Sequence, residues 1–484
     1  MASTAAGDAL TRAVEGRLAA GGVLARAARS ALYRRAWGAD ADAFAAVTTY
    51  DGLRALPFVA GPDLRSMQIE TDPAAWPCVD HVRLWISTSG TTGTPKWIPI
   101  ADADLEDGEE SSDNVLISIG VYHPDRLAFG LNAPAPYYTD ILSYTTLPHA
   151  LRRGLPGQGL VTSIVEIAHC LEFALRQDPG AFCAFPSVAM ALAEGMIARL
   201  PELVRQLVPR PRWLARPLAY VLQRVLHIRP RHLFHLRWGA FGGEPLAPYR
   251  QAIREAWGME SVEVFGMSEL RGGFSECEVQ QGMHIWLHRC LPEVIPLVEL
   301  EREQQGAGPP PVAQPLWQSP PGLVGELVLT SYGHAFPLVR YRTGDLIEVV
   351  DSAPCPCGRP DPRLRVLHRA DDIVNLGIVR FSLVQLGELL AQPGPAGVVA
   401  DWQIHVTRTG YKPWLVLLVR PSAPVDEDAF LTQVRAALLE LKPVREGLAS
   451  GVIAQPEIRL AEDLVPQRSS SGKVRRLIYD QSPG

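Results

Sequence analysis

Between about residue 80 and residue 350, short apolar runs alternate with helix-like segments, an alternation that restricts the chain to an α/β fold with buried strands. Strands are expected at Val82–Ile86, Leu127–Leu131, Phe182–Phe185, Leu236–Phe241 and Val262–Phe265, and helices at Val188–Leu200 and Tyr249–Trp257. From His284 the texture becomes β-rich, with strands expected at Gly325–Thr330 and Leu346–Val350. The six prolines between Gly306 and Pro321 suggest an exposed loop. A second change near His368 opens a unit with a hairpin (Trp402–Val406, Leu415–Val419, turning at Thr409-Gly410), a helix over Asp426–Leu441 and a strand near Glu457–Leu460. The expected division is a large domain over 1–367 and a small α+β domain over 368–484.

A chain of 484 residues, 47% of them apolar and 20% charged, can bury a substantial core. A net charge of −6 without a long basic run gives no expectation of a nucleic-acid or anionic-membrane partner. No stretch reaches the roughly 18 apolar residues of a membrane span. Near the start, Leu10, Val14 and Leu18, then Leu24, Ala28 and Leu32 beyond Gly21-Gly22, recur every four residues, the spacing of two short amphipathic helices. Asp8, Glu15 and the lack of an apolar run there argue against a targeting segment. Seven irregularly spaced cysteines point to a reducing compartment, so a cytoplasmic location is expected. Of 46 basic residues only four are lysines. Lys412 lies near the hairpin turn, Lys442 reads as closing a helix, and Lys96 and Lys473 fall in motifs that suit phosphate.

The sharpest of these motifs is Ser87-Thr-Ser-Gly90-Thr-Thr-Gly93-Thr-Pro95-Lys96, directly after an expected strand. Its glycines let backbone N–H groups approach an anion, the hydroxyls add donors, and Lys96 adds a compact charge. The spacing is not that of a Walker A loop. With Phe241-Gly-Gly-Glu-Pro245, Val264-Phe-Gly-Met-Ser-Glu269, Arg340-Tyr-Arg-Thr-Gly-Asp345, Arg369-Ala-Asp-Asp372 and Ser471-Gly-Lys473-Val-Arg-Arg, it makes the sequence similar to the adenylate-forming superfamily of acyl-CoA synthetases, adenylation domains and luciferases. Within it, the chain resembles the phenylacetate-CoA ligase-like branch.

The resemblance implies a large N-terminal domain of mixed sheets and helices, which binds ATP and the acyl group, and a small mobile C-terminal domain hinged near 369–372. The activity implied is ATP-dependent conversion of an aromatic acid to acyl-AMP with Mg2+, then transfer to coenzyme A. Ser89, Gly90, Thr91, Thr92, Gly93 and Lys96 would hold the phosphates. Gly242, Gly243, Glu244, Pro245, Phe265, Gly266, Met267 and Ser268 would surround the nucleotide, the glycines admitting a flat base on which Phe265 stacks. Asp345, expected at the start of a strand, and Arg369 would meet the ribose, and Glu269 would hold Mg2+. Lys473 would stand between the carboxylate and the α-phosphate, where an ammonium stabilises charge developing on the transferring phosphoryl group.

Tyr137, Tyr138, Phe185, Gly239 and Ala240 are candidate walls of the acyl pocket, and Gly377 a candidate for the coenzyme A channel. Around Gly377 the chain departs from the family pattern: Leu376 replaces an arginine, Val379 an asparagine, and His368 a glycine before the hinge arginine. An amine or carrier-protein thiol therefore stays open as acceptor, with a downstream acyl-acceptor enzyme as partner, and so does a nucleotide-binding regulator without turnover. A homodimer is compatible with the resemblance. Cys277, His284, Cys355 and Cys357 match a closed zinc set, although Cys-x-Cys is tighter than the usual spacing; buried cysteines and a turn are the alternative. Similar placements occur in the same branch, which favours structural Zn2+. Cys78, Cys170, Cys183 and Cys290 read as small buried hydrophobes.

Overall fold

A computed structural model describes residues 2–66, 82–87, 97–104, 127–132, 158–163, 176–198, 200, 215–222, 226–243, 246, 247, 249–270, 272–285, 287, 289–304, 308–369, 373–376, 379–409, 412–449, 453–461, 464 and 476–479. They form two compact units: most of 1–365, and 366–484 joined by short segments that include 344–347.

Among the described residues, the large unit is built on a thirteen-stranded sheet. One half is parallel, in the order Gln158–Ser163, Leu127–Asn132, Ala181–Ala184, Trp238–Gly242 and Glu260–Met267. Helices Pro186–Ala198 and Arg250–Trp257 cover it, packing Leu192, Met196, Ile253 and Trp257 against Phe182 and Phe241. The second helix ends at Gly258, whose φ of 73° suits the left-handed position after a helix. Gly272–Glu276 then runs antiparallel to Glu260–Met267, and the sheet continues through Met283–His284, Arg363–Arg369, Tyr341–Asp351, Val324–Ser331, Cys290–Pro296 and Gln314–Pro315. The α/β expectation holds, because short apolar runs between helices can be buried on both faces only inside such a sheet.

Three local expectations need correction. The second N-terminal helix is split into Val23–Ala27 and Ala31–Trp37, because the Ser30 hydroxyl caps the latter by accepting the Tyr33 N–H. The proline-rich stretch is not simply an exposed loop: Ala313, Leu316, Trp317 and Ser319 are buried, and the Trp317 indole donates to Thr11 Oγ1 at 3.0 Å. Two bulky apolar residues outweigh the loop signal of the prolines around them. Lys442 opens the helix Lys442–Ala449 instead of closing the one before, since Glu427–Glu440 ends first.

Among the described residues, the small unit holds a four-stranded sheet in the order Glu457–Leu460, Lys412–Pro421, Val399–Thr409 and Leu477–Tyr479. Helix Glu427–Glu440 starts at Asp426, whose carboxylate accepts the Ala429 N–H, and lays Phe430, Val434 and Leu438 on Ile404, Leu417 and Val419. Ile373–Leu376 and Val379–Ser382 form a separate antiparallel pair.

One buried ion pair ties the large unit together. The Arg340 guanidinium donates to both Glu293 oxygens, at 3.0 and 3.1 Å, and to the carbonyls of Arg54 and Leu56, each at 2.7 Å. Its face lies 4.1 Å from the Phe58 ring centroid. The Tyr50 hydroxyl donates to Glu293, and burial with that neighbouring carboxylate pushes its phenol well above the ordinary range. Arg340 takes a left-handed backbone (φ 47°), unusual for a residue with a Cβ. Arg340→Ala leaves Glu293 charged and without its guanidinium, so a loss of about 3–5 kcal/mol is expected, read as a lower denaturation midpoint of the large unit. A midpoint within error of wild type would show that the pair does not hold these segments.

Candidate functional site

The sheet brings three of the motifs side by side. Phe241 and Gly242 end a parallel strand whose neighbour pairs Val264 with Gly242, and a Cβ at 242 would lie 2.3 Å from the Val264 carbonyl oxygen. At Gly243 (φ +80°) a Cβ would lie 2.2 Å from the Phe185 ring, so the strand must turn on glycines. Phe265, half-buried, stacks one ring face on Phe274 at 5.6 Å and 14°. Gly266 is exposed, and Met267 and Ser268 lead into the turn that carries Glu269. Glu269 is 8% exposed and accepts a hydrogen bond from the Tyr341 hydroxyl at 3.1 Å, which fastens this motif to the one opening at Arg340.

Asp345 is not at the start of a strand. It lies inside Tyr341–Asp351, just after Gly344 (φ 75°), which kinks the strand, and it is buried. Phe185 belongs to the core around Phe182 and Trp257, and Ala240 to a small cluster with Ala181 and Val262 on neighbouring strands. A Cβ at Gly239 would meet the Phe241 ring at 2.4 Å. Ser89, Gly90, Thr91, Thr92, Gly93, Lys96, Glu244, Pro245, Tyr137, Tyr138, Gly377, Lys473 and the hinge pair Asp371-Asp372 lie outside the described residues, as does the Arg369 side chain, although its backbone ends the strand Arg363–Arg369. The residues flanking 88–96 are described: Ser87 pairs with Trp97 at the end of an antiparallel strand pair.

The four metal-type donors converge. Cys277 follows Gly272–Glu276; a tight turn through Gln280 and Gly282, both at positive φ, returns the chain so that His284 pairs with Ser275. Arg363 pairs with His284 from the other side, and the loop before it carries Cys355 and Cys357. All four ligand atoms lie within 4.8 Å of one another, with Cys277 Sγ 3.8 Å from Cys355 Sγ and Cys357 Sγ 3.5 Å from His284 Nε2. A tetrahedron with metal–sulfur bonds of about 2.3 Å and metal–nitrogen bonds of about 2.05 Å has edges of about 3.8 and 3.5 Å. Burial, with Arg359 and Arg363 near, lowers the His284 imidazole to about 4, so the ring is neutral at physiological pH and offers a lone pair. Burial pushes the Cys277 thiol up, whereas at Cys355 hydrogen bonds from Cys357 and Cys277 outweigh burial and hold the thiol low. Cys183 and Cys290 are pushed up to about 11 and about 12 by burial, as inert cysteines are; Cys78 and Cys170 lie outside the described residues.

No protein-family model matches the chain. Over 258 residues it is 34% identical to a phenylacetate-coenzyme A ligase of Thermus thermophilus, covering 50% of this chain and 54% of that protein. A Pseudomonas putida phenylacetate-coenzyme A ligase is 31% identical over 185 residues, 37% of each chain. The match thus spans about half the length of the first relative and about a third of the second. Among solved structures, a 2-hydroxyisobutyryl-CoA ligase in the postadenylation state aligns with a TM-score of 0.71 at 21% identity, covering 97% of this chain and 90% of that one. An acyl acid amido synthetase aligns with a TM-score of 0.69 at 14% identity, covering 99% and 94%. The chain shares its fold with these ligase and synthetase structures.

In this fold, two residues outside the expected site set contact its members or their strands: Tyr341, whose hydroxyl donates to Glu269, and Arg340, which anchors the strand carrying Tyr341. Both stand inside a recognised motif, but neither bears an obvious substrate function, so only the contacts reveal their work. A third is Glu263, two residues before Phe265. Its carboxylate accepts the Leu246 N–H at 3.3 Å, while Glu276 accepts the Glu263 N–H at 2.8 Å and an Arg250 N–H at 2.7 Å. Burial, with the Glu276 carboxylate near, raises Glu263 from 4.5 to about 7, against the lowering influence of the Leu246 N–H, Arg250 and Arg365. The folded chain then binds the proton more tightly than the unfolded one, and stability present below 4.5 is lost as pH rises through about 7. Glu263→Gln is expected to melt higher than wild type at pH 8 and close to it near pH 4.5; an equal difference at both pH values would show that Glu263 does not titrate on unfolding.

Proposed function

We propose that this chain activates an aromatic carboxylic acid with ATP and passes the acyl group to coenzyme A. In the first step a carboxylate oxygen attacks the α-phosphorus and pyrophosphate leaves, giving acyl-AMP; in the second the thiol sulfur attacks the acyl carbonyl and AMP leaves. The observation that carries it is the junction of three nucleotide-type motifs within one sheet: Gly242 against Val264, and Glu269 bonded to Tyr341. Similarity to phenylacetate-coenzyme A ligases over half the chain supports the same chemistry.

Two acidic groups and a ring suit these roles. Glu269 offers a carboxylate to Mg2+, a hard cation that prefers oxygen ligands shared with phosphates, and such an ion would neutralise charge on the departing pyrophosphate. Asp345, buried beyond the Gly344 kink, suits the ribose hydroxyls, with Arg369 beside it in the family pattern. Phe265 has one face on Phe274, leaving the other for adenine. The residues at 89–96 would cradle phosphate, and Lys473, carried on a small unit hinged at 369–372, would place its ammonium between carboxylate and α-phosphate. Tyr137, Tyr138 and Phe185 remain proposed contacts for the aromatic acid, and Gly377 for the pantetheine arm.

A second acceptor has specific support. Leu376 and Val379, standing where the family pattern has arginine and asparagine, are buried in the small unit's core and present no polar group to a nucleotide-bearing thiol. An amine or carrier-protein thiol is the corresponding alternative. Cys277, His284, Cys355 and Cys357 would hold a structural Zn2+, since three sulfurs and a neutral imidazole lie within 4.8 Å of one another, two of their pairs at the edge lengths of a zinc tetrahedron, and four protein donors leave no position for a reacting water.

Hydroxylamine trapping across a panel of aromatic acids tests the first step, and thioester formation on adding coenzyme A the second. Acyl hydroxamate without thioester would transfer the assignment to the alternative acceptor; neither product with any acid would remove the catalytic function. Lys473→Ala should cut acyl-AMP formation by about 10² or more while leaving the melting temperature unchanged. Metal analysis should find about one zinc per chain, lost in Cys355→Ser together with stability; a wild-type content of a few tenths or less excludes the zinc assignment.

A further inference from the structure

The last residue of the Lys473 motif is held by a clasp unlike that of an ordinary surface arginine. Arg476 pairs with Asp401 and donates to the Trp402 carbonyl at 2.5 Å, and its guanidinium lies 4.9 Å from the Trp402 ring centroid. The ion pair is largely screened from water, with 22% and 13% of the two side chains exposed. A shift of register between Val399 and Asp401 interrupts the strand Val399–Thr409 at this point, the kind of irregularity that re-aims side chains, and Asp401 also accepts the Trp402 N–H at 2.9 Å. The indole is backed by Gly387 of the helix Leu383–Ala391, where a Cβ would come within 3.2 Å of it. The Arg476 carbonyl accepts the Ile404 N–H at 2.8 Å and leads into Leu477–Tyr479, which pairs with Ile404–Val406.

We propose that Asp401, Trp402 and Arg476 form a clasp that positions Lys473 for the adenylation step. This rests on Lys473 acting in that step. Two residues separate Lys473 from Arg476, and the three peptide units between them reach at most about 11 Å, so fixing Arg476 limits how far the lysine can stray. A strand of three residues ends the sheet and is too short to fix its own beginning; a guanidinium held by a carboxylate, a carbonyl and an indole face supplies the missing constraint. Arginine suits the position because its planar fork can bond and stack at once, which a lysine ammonium cannot. The effect belongs on turnover, since a loosely held ammonium still meets ATP but spends less time in the reactive arrangement.

The test compares wild type with Arg476→Ala, Arg476→Lys and Trp402→Leu by hydrogen exchange over 474–479 and by steady-state acyl-AMP formation. In Arg476→Ala exchange there should accelerate by about tenfold or more and kcat fall by a similar factor, with KM for ATP within about twofold and the melting temperature nearly unchanged; Arg476→Lys should recover only part of kcat. Unchanged exchange in Arg476→Ala overturns the clasp whatever the activity does. Faster exchange with full kcat overturns the positioning role, as does a matched fall in kcat and melting temperature, which would mark a merely structural contact. A wild type that forms no acyl-AMP from any acid removes the catalytic assignment and the positioning role with it, while exchange still reports whether the clasp anchors the chain.

Discussion

The large unit is organised around a charge that water does not reach. Arg340 and Glu293 meet through two hydrogen bonds in a site where neither is significantly exposed. Such a pair adds little net stability over an apolar packing, because desolvation offsets most of its attraction, but it tolerates only one arrangement of its partners. Here those partners are the strand Cys290–Pro296, the carbonyls of Arg54 and Leu56, and the Tyr50 hydroxyl. Val59 adds to the same junction by donating its N–H to the Arg340 carbonyl, so the N-terminal segment joins the sheet where the site strand begins. The left-handed backbone of Arg340 is tolerated because these contacts over-determine it.

From that fixed point the site follows in one covalent step. Tyr341 is the next residue, and its hydroxyl reaches Glu269 across the sheet. The carboxylate proposed for Mg2+ is thus oriented through a phenol whose own strand is anchored by a buried ion pair. The Cys–His cluster uses the same device at another edge: antiparallel pairing of Met283–His284 with Gly272–Glu276 and with Arg363–Arg369 brings donors about 70 residues apart within bonding range of one ion. The Cys–His cluster is gathered by antiparallel pairing, whereas Gly242 and Val264 meet on a parallel pair.

Much of the architecture was legible because it depends on local periodicity. The parallel strands at 127–132, 181–184, 238–242 and 260–267 lie where apolar runs marked them, and the small-unit hairpin and helix also lie close to their expected bounds. The errors were those of competing local signals: proline around buried Leu316 and Trp317, a capping serine inside the periodic run at Leu24–Leu32, and a lysine whose end-of-helix look concealed a helix start. Residue types with evident chemistry, such as Glu269 and the four metal-type donors, stood out as candidates in the sequence, whereas Arg340, Tyr341 and Glu263 did not. Their function lies in what they hold, and holding is a property of pairs.

The sequence alone determined the α/β class and the order of the motifs, because strand and helix periods, glycine turns and clusters of hydroxyl and basic side chains are properties of short segments. It also marked Cys277, His284, Cys355 and Cys357 as a candidate set, since thiols and imidazole at such spacings have few uses. Only the tertiary structure decided that those four donors meet within 4.8 Å of one another, that Asp345 sits beyond a kink within a strand, and that Glu269 is held by Tyr341. The physical reason is that strand pairing joins residues by register, not by proximity in the chain. Which carboxylate faces which hydroxyl is therefore unspecified until the sheet has formed.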